Sequence, residues 1–351
     1  MAGLTARKNQ ILRIIVSDYV ATAVPVPSNV VARSGGLAVS PATVRNEMVA
    51  LEEDGYIIRP HASAGGVPSE KGYRYFVDTL DPAARVSSQE AAAVQAELAG
   101  VPPGFDAWAE AASSAIASLI GTLAFATTPR AAAPTVKSIE LLRLQEFIVM
   151  LVVILREASV HRELITLGQP VSDSQLESAR NRVSETVAGK QACDVEAALS
   201  AAAGPLDHQV LESTAGVLRK QQSDTLGGPV FQGLSRLLEQ RELAAHPEQV
   251  RSVVSAVEDP GLVPRLGALA PDGGRPTVLI GAEIPGGALR SFSVIVCRYG
   301  IPDEAQGILG LIAPTRMPYA RAVPLLGHAA SSLARLTGRV FARAPQARSQ
   351  A

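Results

Sequence analysis

The chain has 351 residues, 47% hydrophobic and 19% charged, with 29 glycines and 24 prolines, which suits two or three folded domains and excludes a wholly disordered or collagen-like chain. Thirty-two lysines and arginines nearly cancel thirty-three acidic residues, so a uniformly basic nucleic-acid coat is excluded and any DNA contact must be local. The longest apolar run, Phe147 to Leu155, falls far short of the ~20 residues a helix needs to span a bilayer.

The N-terminus places Arg7 and Lys8 before a periodic amphipathic stretch containing Arg13 and Asp18, unlike the unbroken apolar core of a secretion signal, so a cytoplasmic location with no membrane partner is expected. Within the first eighty residues, eight basic residues face seven acidic ones. Ile11, Leu12, Ile15, Val16 and Tyr19 recur at helical spacing and predict a first helix from about Thr5 to Ala21. Pro25 and Pro27 end it. Ser28 is read as the cap of a short helix through Ala32 and Arg33, followed by a turn at Gly35-Gly36.

A third helix is expected to start with Ser40 as N-cap and Pro41 at the first helical position, where a missing N–H costs nothing. Its Val44, Met48 and Leu51 form one apolar stripe that must face a core. Ala42 and Asn46 then point away from that stripe, with Thr43, Arg45 and Val49 beside them. Such groups at a helix start suit a major groove: Asn can bond adenine and Arg guanine in bidentate fashion, and Ala or Thr methyls can meet a thymine methyl. Ala42, Thr43, Arg45 and Asn46 are the candidate base-contacting residues.

Tyr56 to Arg59 reads as a strand, and Pro60 to Pro68 is too rich in Gly and Pro for a helix, so a β-wing is expected. Arg59, His61, Ser63 and Lys71 bracket it and, with Ser40, are candidates for contacts to the DNA backbone. Gly72 to Val77 is expected to close this domain with an aromatic cluster. The competing reading, a helical module that binds another protein, is disfavoured because the free face of the third helix is polar and short-chained.

The Ala-rich stretch from Ser87 to Ala126 predicts one or two connecting helices. Ser138 to Leu144, Phe147 to Arg156 and Val160 to Leu167 read as strands of a buried sheet, and Ser172 to Gln175 as a capping box opening a helix to about Val187. Thr277 to Ile284, Leu289 to Tyr299 and Gly307 to Ile312 repeat the strand signal before a final helix from about Tyr319 to Phe341. Residues 191–269, mostly helical in pattern, look like an insertion between the two strand sets.

Catalytic and cofactor signatures are missing. There is no Gly-rich phosphate loop, dinucleotide fingerprint, nucleophile elbow or His pair at metal-ligand spacing, and the histidines at 61, 161, 208, 246 and 328 are scattered. Cys193 and Cys297 stand far apart with no neighbouring ligand, so neither a disulfide framework nor a zinc cluster is expected. The chain is read as a non-enzyme with no cofactor.

The strings SPATVRNEMVALEEDGYI (Ser40 to Ile57) and PHASAGGVPSEKGYRYFVDTL (Pro60 to Leu80) resemble the winged-helix signature of the HrcA family of heat-inducible transcription repressors. GLIAPTRMPYARAV (Gly310 to Val323), and more weakly GGPVFQGLSRLLEQ (Gly227 to Gln240), extend the likeness to the C-terminal half. The resemblance implies an α+β multidomain chain: a winged helix-turn-helix at 1–80, a helical connector at 81–130, a GAF-like domain at 131–190 and 270–345, and an inserted dimerisation domain at 191–269. It further implies a homodimer on an inverted-repeat operator upstream of chaperone genes, released on heat stress, with a GroEL-type chaperonin helping it reach its binding-competent form. A repressor that senses a metabolite through the GAF-like domain is the alternative. The family usually carries Arg in the wing where this chain has Gly66, so a phosphate or minor-groove contact is expected to be lost there.

Overall fold

The computed structural model describes residues 4–34, 39–59, 61, 64–81, 84–131, 133–156, 159–223, 227–302 and 304–342. Helix α1 (Ala6–Thr22) is capped by Thr5, whose side chain accepts from the Lys8 amide. Helices α2 (Ser28–Arg33) and α3 (Pro41–Glu53) pack on it, and Ile11, Leu12, Ile15, Val16, Val31, Val44, Met48 and Leu51 are all buried. Ser28 is the first residue of α2 rather than its cap. The cap is Pro27, whose carbonyl accepts from Val30 and Val31 at 3.0 and 3.1 Å. The expected turn at Gly35-Gly36 lies outside the described residues.

Strands β1 (Ile57–Ile58) and β2 (Val67–Pro68) form an antiparallel hairpin, and Val26 bridges Gly66 on its far side. Both glycines there are required by close approach rather than by a turn: a Cβ on Gly65 would run into the backbone of Pro25 and Val26, and one on Gly66 would lie 3.1 Å from both Ile57 and Met48. Helix α4 (Glu70–Asp78), capped by Ser69, occupies the stretch read from sequence only as an aromatic cluster. Gly72 in its first turn looks like a helix breaker, yet a Cβ there would strike the Tyr56 carbonyl.

The chain continues through α5 (Ser88–Ala99), α6 (Phe105–Ile120) and β3 (Leu123–Thr127), then β4 (Val136–Gln145), β5 (Ile148–Leu155), β6 (Val160–Thr166), α7 (Asp173–Val187), α8 (Ala192–Ala198) and α9 (Pro205–Ser223). It resumes with β7 (Pro229–Gln232), α10 (Leu234–Leu238), α11 (Arg241–Ala245), α12 (Pro247–Glu258), α13 (Leu262–Ala268), β8 (Thr277–Ile280), β9 (Phe292–Ile301), β10 (Ala305–Pro314) and α14 (Tyr319–Ala342). The fold is α+β. Among the described residues no helix is long and apolar enough to cross a membrane.

Two compact units result. The first comprises 1–127, 229–299 and 308–333 and holds both the N-terminal head and a five-stranded sheet in the order β7-β3-β10-β9-β8. Its centre is apolar: Leu123, Phe125, Ile308, Leu309, Leu311 and Ile312 are fully buried. Gly310 makes room for Phe125, whose ring would otherwise meet a Cβ at that position.

The second unit, 128–228 with 300–307 and the chain from 334 onward, contains the three-stranded antiparallel sheet β4-β5-β6. Its inner face (Val149, Leu151, Val153, Leu155) packs with Leu176, Val183, Val210 and Leu218 of α7 and α9.

This partition corrects the domain reading. Residues 131–190 and 270–345 are expected to form one domain around an insertion at 191–269, but among the described residues β4, β5 and β6 pair with one another, and the excursion from the first unit begins at 128 and ends at 228. Alternation identifies a strand and its buried side but not its partner, which is settled by long-range packing. The β4-β5-β6 sheet is also not buried on both faces, because every second residue of β5 is only half-covered. Nor is 81–130 merely a connector: Trp108, Ala109, Ala112, Ala115 and Ile116 of α6 are core residues, and β3 is the second strand of the large sheet.

Candidate nucleic-acid interface

Helix α3 is held firmly at one end and left open at the other. At its start Ser40 Oγ accepts from the Thr43 amide at 3.2 Å and lies 3.0 Å from Thr43 Oγ1, so both hydroxyls are occupied in capping. Pro41 sits at the first turn and no acidic residue does, leaving the helix N-terminus with uncompensated positive partial charge that favours an anion. Ala42 on that turn and Arg45 and Asn46 on the next are exposed, and Thr43 is half-buried. Among the described residues Arg45 is in no ion pair.

Further along, Glu47, Glu52 and Asp54 are each paired with a cation. Lys8 Nζ reaches Asp54 Oδ2 at 2.9 Å, and that hydrogen bond holds the Lys8 ammonium above its ordinary range despite the opposing effect of burial. Arg7 lies 3.5 Å from Glu47. Arg59 donates through Nε to Glu52 at 2.7 Å and again through its second nitrogen, and only 11% of its side chain is exposed. Lys71 Nζ donates to the Asp54 carbonyl at 2.7 Å and stands 4.4 Å from the centre of the Tyr56 ring. Two residues put forward for phosphate contacts thus also fix the C-terminal end of α3. His61 is exposed, while Ser63 lies outside the described residues. Gly66 is buried and its α-carbon faces the hydrophobic centre of the head, so a side chain at 66 would not reach solvent and no contact is lost there.

Residues 106–323, more than half the chain, match the family model described as the HrcA protein C terminal domain. A heat-inducible transcription repressor HrcA from Dehalococcoides mccartyi is 33% identical, covering 97% of this chain and 98% of its own. The chain belongs to the HrcA family. Another member, from Nocardioides sp., is 36% identical over 90% of this chain and 93% of its own. A solved crystal structure of a hypothetical protein shares the fold at TM-score 0.64 and 22% identity, covering 96% of this chain and all of that one. Membership places the chain among heat-inducible transcription repressors, not enzymes.

The HrcA likeness at Gly310 to Val323 has a structural reason that the sequence alone did not reveal. Arg316 donates to Glu242 and to the Val20 carbonyl near the end of α1, tying the head to the body. Tyr319 packs at a tilt against Tyr73 of α4 with ring centres 5.7 Å apart, and its hydroxyl lies 2.6 Å from Ser293 Oγ and donates to the Thr315 carbonyl at 2.8 Å. Arg74 of α4 donates to Glu283 at 2.9 Å and to the Val278 carbonyl at 2.7 Å. Burial works to raise the Glu242 carboxyl, but the Arg316 guanidinium outweighs it and holds the group below its ordinary range. Burial pushes the Tyr73 and Tyr319 hydroxyls well above theirs, so both stay neutral. The available signal was Arg316 and Tyr319 inside a mostly apolar string that also carries Thr315 and Arg321.

Proposed function

We propose that this HrcA-family chain represses chaperone operons as a cytoplasmic homodimer that places the open face of α3 in the major groove of an inverted-repeat operator. The reading is carried by one observation: the first two turns of α3 present Ala42, Arg45 and Asn46 to solvent at a capped helix start whose first turn bears no carboxylate. In it, α1 to α3 with the β1-β2 hairpin form a winged helix-turn-helix whose third strand is the Val26 bridge, and the five-stranded sheet with its helices is the GAF-like body. Ala42, Thr43, Arg45 and Asn46 face base edges, while Ser40, His61 and Ser63 meet the backbone. Arg59 and Lys71 serve it by holding the opposite end of α3, with their outer N–H groups turned to phosphates.

Support for the dimer comes from the second unit. Five of the eight large hydrophobic residues most exposed among the described ones, Leu142, Leu144, Phe147, Val160 and Leu164, lie on or beside its sheet. Leu142, Met150 and Leu164 form one cross-strand row on the outer face, which a second copy would cover. Two recognition helices about 34–36 Å apart then demand a palindromic site. A GroEL-type chaperonin assisting maturation, and loss of the active form on heating, complete the reading.

The test is a binding titration against an inverted-repeat promoter fragment and a scrambled fragment at two salt concentrations. Preference for the repeat is expected, and equal affinity for both fragments would overturn the proposal. Asn46→Ala should weaken operator binding by about 1–3 kcal/mol and relax preference at one base pair, leaving affinity for the scrambled fragment unchanged.

A further inference from the structure

Between the head and the body of the first unit lies a cleft of about 930 Å³, walled by α1, α4, residues 80, 81 and 84–86, the approach to β8, and α14. That volume falls in the ~300–1,000 Å³ range of small-molecule sites and is far too small for a duplex. Four guanidiniums line it, Arg13 and Arg74 from the head, Arg85 just beyond it and Arg275 from the body, against the carboxylates of Asp78 and Asp81. Arg74 is engaged by Glu283 and the Val278 carbonyl, with Asp78 3.6 Å away. Arg13 makes one long contact, 3.4 Å, to the Thr79 carbonyl. Arg85 and Arg275 are exposed and, among the described residues, in no ion pair.

The rest of the wall is mixed: Val77, Val86, Pro276, Val323 and Pro324 make an apolar patch, with Thr277, His328 and Ser331 beside it. Pro324 stands inside α14 and has no N–H, so the carbonyl of Ala320, four residues earlier and also lining the cleft, lacks its helical donor. Surplus planar donors beside an apolar patch together match an organic anion.

We propose that this cleft binds a small organic phosphate of nucleotide size, its phosphates on Arg13, Arg85 and Arg275 and its ring against the wall of α14. A ligand so placed touches head and body at once and therefore favours the arrangement of the two described above. The inference does not depend on the operator reading, because it can be tested without DNA.

The probe is ADP, titrated calorimetrically into the full-length protein, with adenosine and inorganic phosphate as separate arms. Saturable ADP binding is expected, tenfold or more weaker for inorganic phosphate and undetectable for adenosine. The doubly substituted Arg85→Ala, Arg275→Ala protein should lose at least tenfold in ADP affinity, while Arg251→Ala, an exposed arginine on α12, should lose none. Because the substituted side chains are exposed, the melting temperature without ligand should not move, and ADP should raise it only where both arginines are present. Absence of ADP binding at millimolar concentration overturns the proposal, as does an equal loss in the Arg251 variant. Inorganic phosphate binding as tightly as ADP overturns the organic part of the assignment.

Discussion

In the five-stranded sheet, β9 and β10 are buried along nearly their whole length, whereas along β5 of the three-stranded sheet buried and half-covered side chains alternate strictly. Both sheets are built from the same Val, Ile and Leu. The first is covered on both sides, with helix α6 against β3 and Tyr319 of α14 hydrogen-bonded to Ser293 of β9. The second is covered on the side of α7 and α9 and bare on the other. Apolar composition therefore marks a strand as needing cover without saying whether the same chain provides it.

The sharpest way to break this comparison is to place one charge on each sheet. Leu311→Arg, at a fully buried position of β10, should leave the first unit unable to fold, because an unpaired buried cation costs several kcal/mol or more. Leu164→Arg, 65% exposed on β6, should leave the circular dichroism spectrum and melting profile intact and shift sedimentation from dimer to monomer. A Leu164 variant that stays dimeric removes the support drawn from the bare face. On the covered face of that sheet, Leu151→Ala should cost about 2–5 kcal/mol in denaturant unfolding without changing the oligomeric state of the folded protein.

A smaller effect concerns the polar ties on the closed side. Glu242→Gln should destabilise the head–body junction by about 1–3 kcal/mol at neutral pH, read by hydrogen exchange in α1 and α4. The folded carboxyl lies below its unfolded value of 4.5, so its contribution is complete above that value and drains away as pH falls through the lowered one. Acid should thus loosen the junction below about pH 4.5 in the natural protein and less so in the Gln variant. Tyr319→Phe, which keeps the ring on Tyr73 and removes the hydroxyl, should cost about 1 kcal/mol by thermal melting.

Local rules made much of the head legible. The Ser40 cap, Pro41 at the first turn and the Val44-Met48-Leu51 stripe together orient α3, and each is an interaction within a few residues. Helix α4 escaped because Gly72 to Val77 was read only as an aromatic cluster; Gly72 lets the Tyr56 carbonyl pass, a contact between distant residues. Strand β3 was hidden in an alanine-rich run that continues from α6, and only the left-handed Gly121 and, after it, Thr122 separate them.

The site shows the same division. Exposure of Ala42, Arg45 and Asn46 follows from periodicity, but the engagement of Arg59 by Glu52 and of Lys71 by Asp54 depends on how the hairpin returns to α3. Likewise no pattern within residues 1–80 announces Arg316 or Tyr319, because the surface they hold belongs to another part of the chain.

The Arg316 contact with the Val20 carbonyl joins residues 296 positions apart. Ribosomes add about 5–20 residues per second, so the head emerges roughly 15–60 s before its anchor exists. A nascent chain in that interval carries α3 without the contacts that tie the head to the body. Any transcript cut short ahead of codon 316 would yield the head without the clasp.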